Sequence, residues 1–171
     1  MSKAFNPEEW VQLRTDFEDL RDKQLLLMKS HESAGSYGMA YLALWVALEF
    51  FAKRLGPAAQ RQDLKDTLSD WLAYLNGNGV AKPKEIASGK FKIPRTETER
   101  IPPEELLQKL FPLRAAPSFY LVTDPNRKYR IRRNDIAHKA EVTTLKVYEG
   151  FKEEALKALS EIEVWLSGGG V

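Results

Sequence analysis

The sequence predicts an all-α protein, a helical bundle of four to five main helices. Apolar residues recur every three or four positions near both ends of the chain, which is the period of a helix with one buried side. The run from Tyr37 to Leu48 is almost entirely apolar, which is typical of a helix at the centre of a bundle. The alternating pattern of half-buried strands is scarce in all 171 residues.

The length predicts a single domain over residues 1–167, followed by a flexible tail at 168–171. The chain has no cysteine, so it can form neither a disulfide nor a thiolate metal site. No signal-peptide pattern opens the sequence, and the longest apolar run is too short to cross a bilayer. We therefore expect a cytoplasmic protein without a membrane partner.

The first half of the chain contains three predicted helices. The first is expected over about Pro7–Lys29, with Asn6 as its N-cap and a proline at its first position. The second covers about Ser36–Leu55 and contains the apolar run. Gly56-Pro57 is expected to end it, because proline lacks an amide hydrogen and glycine favours turns. The third covers about Ala58–Leu75.

One acidic residue, Glu49, interrupts the apolar second helix near its end. Charged side chains are rarely buried, so we favour an exposed Glu49 near the helix terminus. The alternative is a buried carboxylate, which would need a cation beside it.

The second half of the chain begins with a segment of weak periodicity. Residues 80–102 are rich in Lys, Pro and Thr, and we interpret them as a long surface loop inserted into the bundle. A short helix over Pro103–Phe111 follows. Asp124-Pro125 is a favourable helix start, which predicts a helix that includes Tyr129 to about Ala140.

The last predicted helix begins after a cap at Thr143 or Thr144 and runs to Leu166. Its apolar residues lie at helical spacing and define one buried side. They are Tyr148, Phe151, Ala155, Leu159, Ile162 and Leu166.

A basic segment precedes this last helix. The chain as a whole is nearly neutral, with 26 Lys and Arg against 24 Asp and Glu. Six cations nevertheless crowd the segment with a single acid, Asp135, and they are Arg127, Lys128, Arg130, Arg132, Arg133 and Lys139. A local basic patch on a near-neutral protein indicates a site for an anion such as RNA. A solvated helix surface is the simpler alternative.

The basic segment has two sides when it is drawn as a helix with about 100° per residue. Tyr129, Ile136 and Ala140 share the side expected to pack on the bundle, whereas Arg127, Arg130, Asn134 and His138 share a polar side. Arg133 lies at the edge of that polar side, about 140° from His138. Only bent-back side chains, or a two-fold partner helix, would bring this pair together. Ile131 lies within the polar side, which suggests that another surface covers it.

These residue types suit RNA cleavage by the 2′-hydroxyl of the substrate itself. Histidine transfers protons near neutral pH, and arginine grips two phosphate oxygens at once. These residue types make Arg133, His138 and Asn134 the candidate catalytic residues, and Asn134 would either orient one of the other side chains or donate to phosphate. The alternative for His138 is an ordinary surface or capping histidine. RNA-binding roles are assigned to Arg127, Arg130, Arg132 and Lys139. Arg132 is an alternative to Arg133, because it also precedes His138 on this segment, by six positions instead of five.

The string Arg133-Asn134-Asp135-Ile136-Ala137-His138 resembles the catalytic motif of the HEPN superfamily, an Arg, often a polar residue, and a His after four to six intervening residues. The apolar second helix and the amphipathic final helix also resemble this all-α family. The resemblance implies a homodimer with a shared cleft, and a metal-independent endoribonuclease that needs no cofactor. It also implies roles in toxin–antitoxin or anti-phage systems, with an antitoxin or nucleotidyltransferase as partner.

One position departs from the family pattern. Some HEPN toxins carry a tyrosine two residues after the histidine, which the nucleotidyltransferase partner modifies, and this chain has Ala140 there. The alternative function is a catalytically silent HEPN-like dimer that binds RNA, nucleotides or proteins.

Overall fold

A computed structural model describes residues 5–78 and 101–168 of the chain, apart from the side chains of residues 71–78. Its regular elements are six α-helices and one 3₁₀ turn at Leu113–Ala115. The helices are α1 (Pro7–Ser33), α2 (Tyr37–Asn78), α3 (Glu104–Gln108), α4 (Pro117–Thr123), α5 (Lys128–Lys139) and α6 (Leu145–Ser167). No strand occurs in these two ranges, so the prediction of an all-α bundle is confirmed.

Helix α2 is the centre of the bundle, because it contacts each of the other five helices. Its apolar run is buried as predicted, and Tyr41, Leu44 and Leu48 have no exposed surface. Helix α6 buries all six residues of its predicted stripe, from Tyr148 to Leu166. The rings of Tyr41 and Phe151 stack at a centroid distance of 3.5 Å, which joins the two helices at the core.

The N-terminal caps of the first and last helices follow from the sequence. Asn6 Oδ1 accepts a hydrogen bond from the Glu9 amide at 2.7 Å, and the Glu9 carboxylate accepts one from the Asn6 amide. This reciprocal pair satisfies two amides that the first turn leaves unpaired. Thr144 is the cap of α6, and its hydroxyl oxygen accepts from the Val147 amide. The alternative cap, Thr143, is buried in the loop before it.

The predicted break at Gly56-Pro57 is wrong, because α2 continues through Pro57 to Asn78. The whole helix is 42 residues long. A proline inside a helix costs about 3 kcal/mol. Burial on both sides of it offsets that cost, since Phe51, Leu55 and Ala59 have no exposed surface. Gly56 permits a close approach instead of a turn. A Cβ atom at Gly56 would lie 2.7 Å from Pro102 Cγ.

Helix α5 begins after the predicted start at Asp124-Pro125, and it ends within one residue of the predicted end at Ala140. The helix does not start at Asp124-Pro125. Asp124 forms a turn instead, in which its carboxylate accepts a hydrogen bond from the Asn126 amide at 2.8 Å. Arg127 is the residue before the first helical position. At the other end Ala140 does not pack on the bundle as expected. It is exposed and has a left-handed backbone with φ of 51°, because it terminates the helix.

Other predictions fall largely outside the described ranges. Residues 80–100 of the predicted loop and residues 169–171 of the predicted tail lie there. The short helix predicted over Pro103–Phe111 is present but ends at Gln108. Among the described helices none is both long and apolar enough to cross a membrane.

Candidate functional site

Helix α5 is fixed to the bundle by two contacts with α2 and one with α6. Tyr41 donates a hydrogen bond through its hydroxyl to the Tyr129 carbonyl oxygen at 2.6 Å. Ile136 is buried, and its Cγ2 would lie 3.3 Å from a Cβ atom at Gly38, so the missing side chain lets the helices approach closely. Tyr129 packs against Phe151 at a ring-centroid distance of 5.7 Å. The basic segment is therefore held on the core from one side.

The Arg133 guanidinium points toward α2. Its Nη2 donates to Glu49 Oε2 at 2.9 Å, and its Cζ lies 5.8 Å from the centroid of the Trp45 ring. Trp45 Nε1 donates to the same carboxylate oxygen at 2.9 Å. Arg133 and Glu49 thus form a partly buried pair, with 27% and 16% of their side chains exposed.

Glu49 is the residue for which the favoured interpretation was wrong. Its side chain is mostly covered and has cations beside it, as the alternative required. Arg133 Nη2 lies 2.9 Å from Oε2, and Lys53 Nζ lies 3.1 Å from Oε1. Burial raises the pKa of this carboxyl, but the Lys53 hydrogen bond and the Arg133 charge outweigh burial, so its pKa lies below the usual value. Glu49 is therefore a carboxylate that holds a guanidinium in place.

Arg132 points elsewhere, although it is the next residue. Its Nη1 donates to Glu141 Oε1 at 2.5 Å, and its Nη2 donates to the Val142 carbonyl oxygen at 2.7 Å. Its Nε atom is buried without a hydrogen-bond partner in the described part of the chain. Arg132 therefore fastens the loop between α5 and α6, which leaves little of its guanidinium available to a ligand.

The opposite side of α5 is open. Asn134, Ala137 and His138 are exposed, and Ile131 keeps 51% of its surface exposed. Asn134 Oδ1 accepts a hydrogen bond from Arg133 Nη1 at 2.9 Å, which links the open side to the guanidinium. No hydrogen bond or ion pair of the His138 side chain occurs within residues 5–78 and 101–168.

The remaining basic residues surround this open side. Arg127 is 62% exposed and pairs with Asp124 at 3.3 Å, and Lys139 is 72% exposed and pairs with Asp135 at 2.7 Å. Arg130 lines a cleft between α3 and the start of α5. The structure thus brings Arg133 and Asn134 together, and it leaves His138 on the same helix without a bond to either.

Sequence reasoning missed Trp45 and Glu49 as partners of Arg133. The signal for Glu49 was present, because a lone acid at the end of an apolar helix has to be paired if it is buried. In the described ranges no three residues among His, Cys, Asp and Glu are placed to hold a metal ion together.

Comparison of the chain with family models, curated proteins and solved structures finds no match. The resemblance to the HEPN superfamily therefore depends on the motif residues themselves.

Proposed function

We propose that this protein is a metal-independent endoribonuclease of the HEPN type, acting on single-stranded or tRNA-like RNA. The observation that carries the proposal is the make-up of α5. An exposed amide, Asn134, contacts a guanidinium that Glu49 and Trp45 hold in a fixed position, and an exposed imidazole, His138, lies farther along the same helix. Such pre-positioned groups are what catalysis of phosphodiester cleavage needs when protein side chains carry the charge.

The chemistry assigns one role to each residue. The 2′-hydroxyl of the substrate loses its proton and attacks the adjacent phosphorus, which breaks the bond to the 5′-oxygen of the next nucleotide. The products are a 2′,3′-cyclic phosphate and a 5′-hydroxyl, which has taken up a proton. His138 would transfer protons, Arg133 would stabilise the phosphorane charge, and Asn134 would orient the guanidinium.

A two-fold homodimer would complete the site. Ile131 is half-exposed on the polar side of α5, and His138 makes no bond to Arg133 within one protomer. Two α5 segments set face to face would cover Ile131 and set the two Arg133–His138 motifs opposite each other. As an RNase toxin or anti-phage effector, the dimer would be neutralised by an antitoxin, and Ala140 argues against modification at the tyrosine position of the family.

One observation favours a second function. The Arg133 guanidinium is already paired with Glu49 and Asn134, as it would be in a residue with a structural role. A catalytically silent dimer that binds RNA or proteins through the open side of α5 would also have this arrangement.

Cleavage of total tRNA in the presence of EDTA distinguishes the two functions. The endoribonuclease predicts fragments that end in 2′,3′-cyclic phosphate, at the same rate with and without the chelator. No fragments above background would favour the silent module. Activity that disappears with EDTA and returns with Mg²⁺ would contradict the mechanism, because the cationic side chains are assigned the role of a metal.

A further inference from the structure

At the start of α5 lies a cleft of about 490 Å³, bounded by α3, the turn at 124–126 and Arg130. Its volume is within the range of about 300–1,000 Å³ that small-ligand pockets occupy. We propose that this cleft binds a guanine base of the RNA, in the nucleotide next to the one that is cleaved. The inference deepens the proposed function and depends on it for the identity of the ligand as RNA.

Arg130 connects the cleft to the candidate catalytic side of α5. It lies one helical turn before Asn134 and two turns before His138, so its distance along the axis from His138 is about 12 Å. In the described part of the chain Arg130 forms no ion pair, although acidic residues line the same cleft. Its guanidinium is therefore available to stack on a base or to bind the phosphate beside it.

The walls of the cleft favour a base over a phosphate. Ile101, Pro102, Pro103 and Pro125 give it apolar surface. The carboxylates of Glu104, Glu105 and Asp124 also line it and would repel a phosphate that entered. An apolar wall with hydrogen-bond acceptors fits the face and the donor-bearing edge of a nucleobase.

Glu105 is the carboxylate that is available for recognition. Glu104 accepts a hydrogen bond from Gln108 at 2.7 Å, and Asp124 is used by the Asn126 amide and by Arg127. Among the described residues no side-chain partner of Glu105 occurs. A free carboxylate can accept two parallel N–H bonds. Guanine offers two adjacent donors on its Watson–Crick edge, whereas uracil offers one, so Glu105 selects guanine.

The test compares two mononucleotides and two matched variants. Titration of the full chain with guanosine 5′-monophosphate and with uridine 5′-monophosphate, followed by amide chemical shifts, gives the ratio of their dissociation constants. Because the phosphate is common to both, the ratio isolates the base. We expect wild type to prefer guanosine monophosphate about tenfold, the scale of one bidentate base contact. Glu105→Gln should abolish the preference, and Glu8→Gln, an exposed first-turn acid of α1, should keep it.

Equal affinity for both nucleotides in wild type, or an unchanged preference in Glu105→Gln, would overturn the proposal. Sequencing of fragments from a randomised RNA adds a second arm, in which guanine should be enriched beside the cut and Glu105→Gln should lose the enrichment. Guanosine monophosphate selectivity without any RNA cleavage would support the cleft assignment and refute the endoribonuclease. RNA cleavage without base preference in either arm would support the endoribonuclease and refute the cleft assignment.

Discussion

The two sides of α5 differ in how far they are covered by the rest of the protein. On the anchored side, Arg132, Arg133 and Ile136 are partly or fully covered and contact the loop before α6 or α2. On the open side, Ile131, Asn134 and His138 are exposed. One short helix thus presents a guanidinium with fixed position next to side chains that remain free to meet a ligand. The position of each cation on the helix, more than its residue type, therefore determines which contacts it makes.

Arg132 and Arg133 make this point most clearly. They are neighbours in sequence and both are arginines, but one fastens a loop and the other is held by Glu49 and Trp45 beside the open side. Only Arg133 also contacts Asn134. In the proposed endoribonuclease, Arg133 would therefore stabilise the phosphate charge, whereas Arg132 holds the loop before α6.

Removal of the Glu49 charge should have the largest effect on stability. In Glu49→Gln the Arg133 guanidinium loses its partly buried partner, and the free energy of unfolding should fall by about 2 kcal/mol. This is less than the ~3–5 kcal/mol for a fully buried pair, because Glu49 remains 16% exposed. Urea unfolding measures it. Glu18→Gln removes an exposed pair with Arg14 as a control and should cost at most about 0.5 kcal/mol. Equal effects would mean that Glu49 does not hold Arg133.

The Glu49–Arg133 pair also predicts that the free energy of unfolding depends on pH. The pKa of Glu49 is lowered in the folded protein, so the unfolded state takes up its proton first as the pH falls. The stabilisation is present above the unfolded value of about 4.3 and is lost as the pH falls through the folded pKa. The stability gap between wild type and Glu49→Gln should therefore be constant near neutrality and shrink below about pH 4.3. A gap that does not change on acidification would contradict the pairing.

Arg133→Lys should slow cleavage about tenfold or more, while much of the RNA binding remains. Lysine keeps the charge near Glu49 but loses the planar donor pair that can hold two phosphate oxygens. Single-turnover cleavage beside equilibrium binding measures the two effects. Arg132→Lys is the matched control and should affect cleavage less, because Arg132 contacts the loop at Glu141 and Val142. A larger cleavage defect at Arg132 would transfer the role to that residue.

Ile131→Glu should have the smallest effect on folding and a clear effect on assembly. Because half of its surface is exposed, the free energy of unfolding of the single chain should change by at most about 0.5 kcal/mol. A charge at the two-fold contact of the proposed dimer should convert it to a monomer, as light scattering would show. Wild type that is monomeric at tens of micromolar would contradict the dimer.

The sequence predicted the helices whose apolar pattern is regular. The buried run of α2 and the stripe of α6 were both identified, because helical spacing reports burial directly. It failed at Gly56-Pro57, where local preference favours a break. Burial of Phe51, Leu55 and Ala59 outweighs that preference, and Pro102 contacts Gly56 from a distant part of the chain. Local sequence cannot show such a contact.

For the candidate site, the sequence predicted which side of the helix is exposed but not the partners of its side chains. Helical spacing correctly placed Asn134 and His138 on one exposed side and Ile136 on the buried side. The pairing of Arg133 with Glu49, 84 positions earlier, depends on how α2 packs against α5. Neither periodicity nor motif spacing carries that information. The different hydrogen-bond partners of Arg132 and Arg133 are therefore seen only in the folded structure.

His138→Ala tests the central claim most directly. We expect single-turnover RNA cleavage in EDTA to fall by about 10²–10⁴-fold. The free energy of unfolding should change by no more than about 1 kcal/mol, because the side chain is exposed. His31→Ala, which removes the other histidine of the chain, should cleave at the wild-type rate. A folded His138→Ala protein that cleaves RNA as fast as wild type would contradict the account, and an unfolded one would make His138 a structural residue.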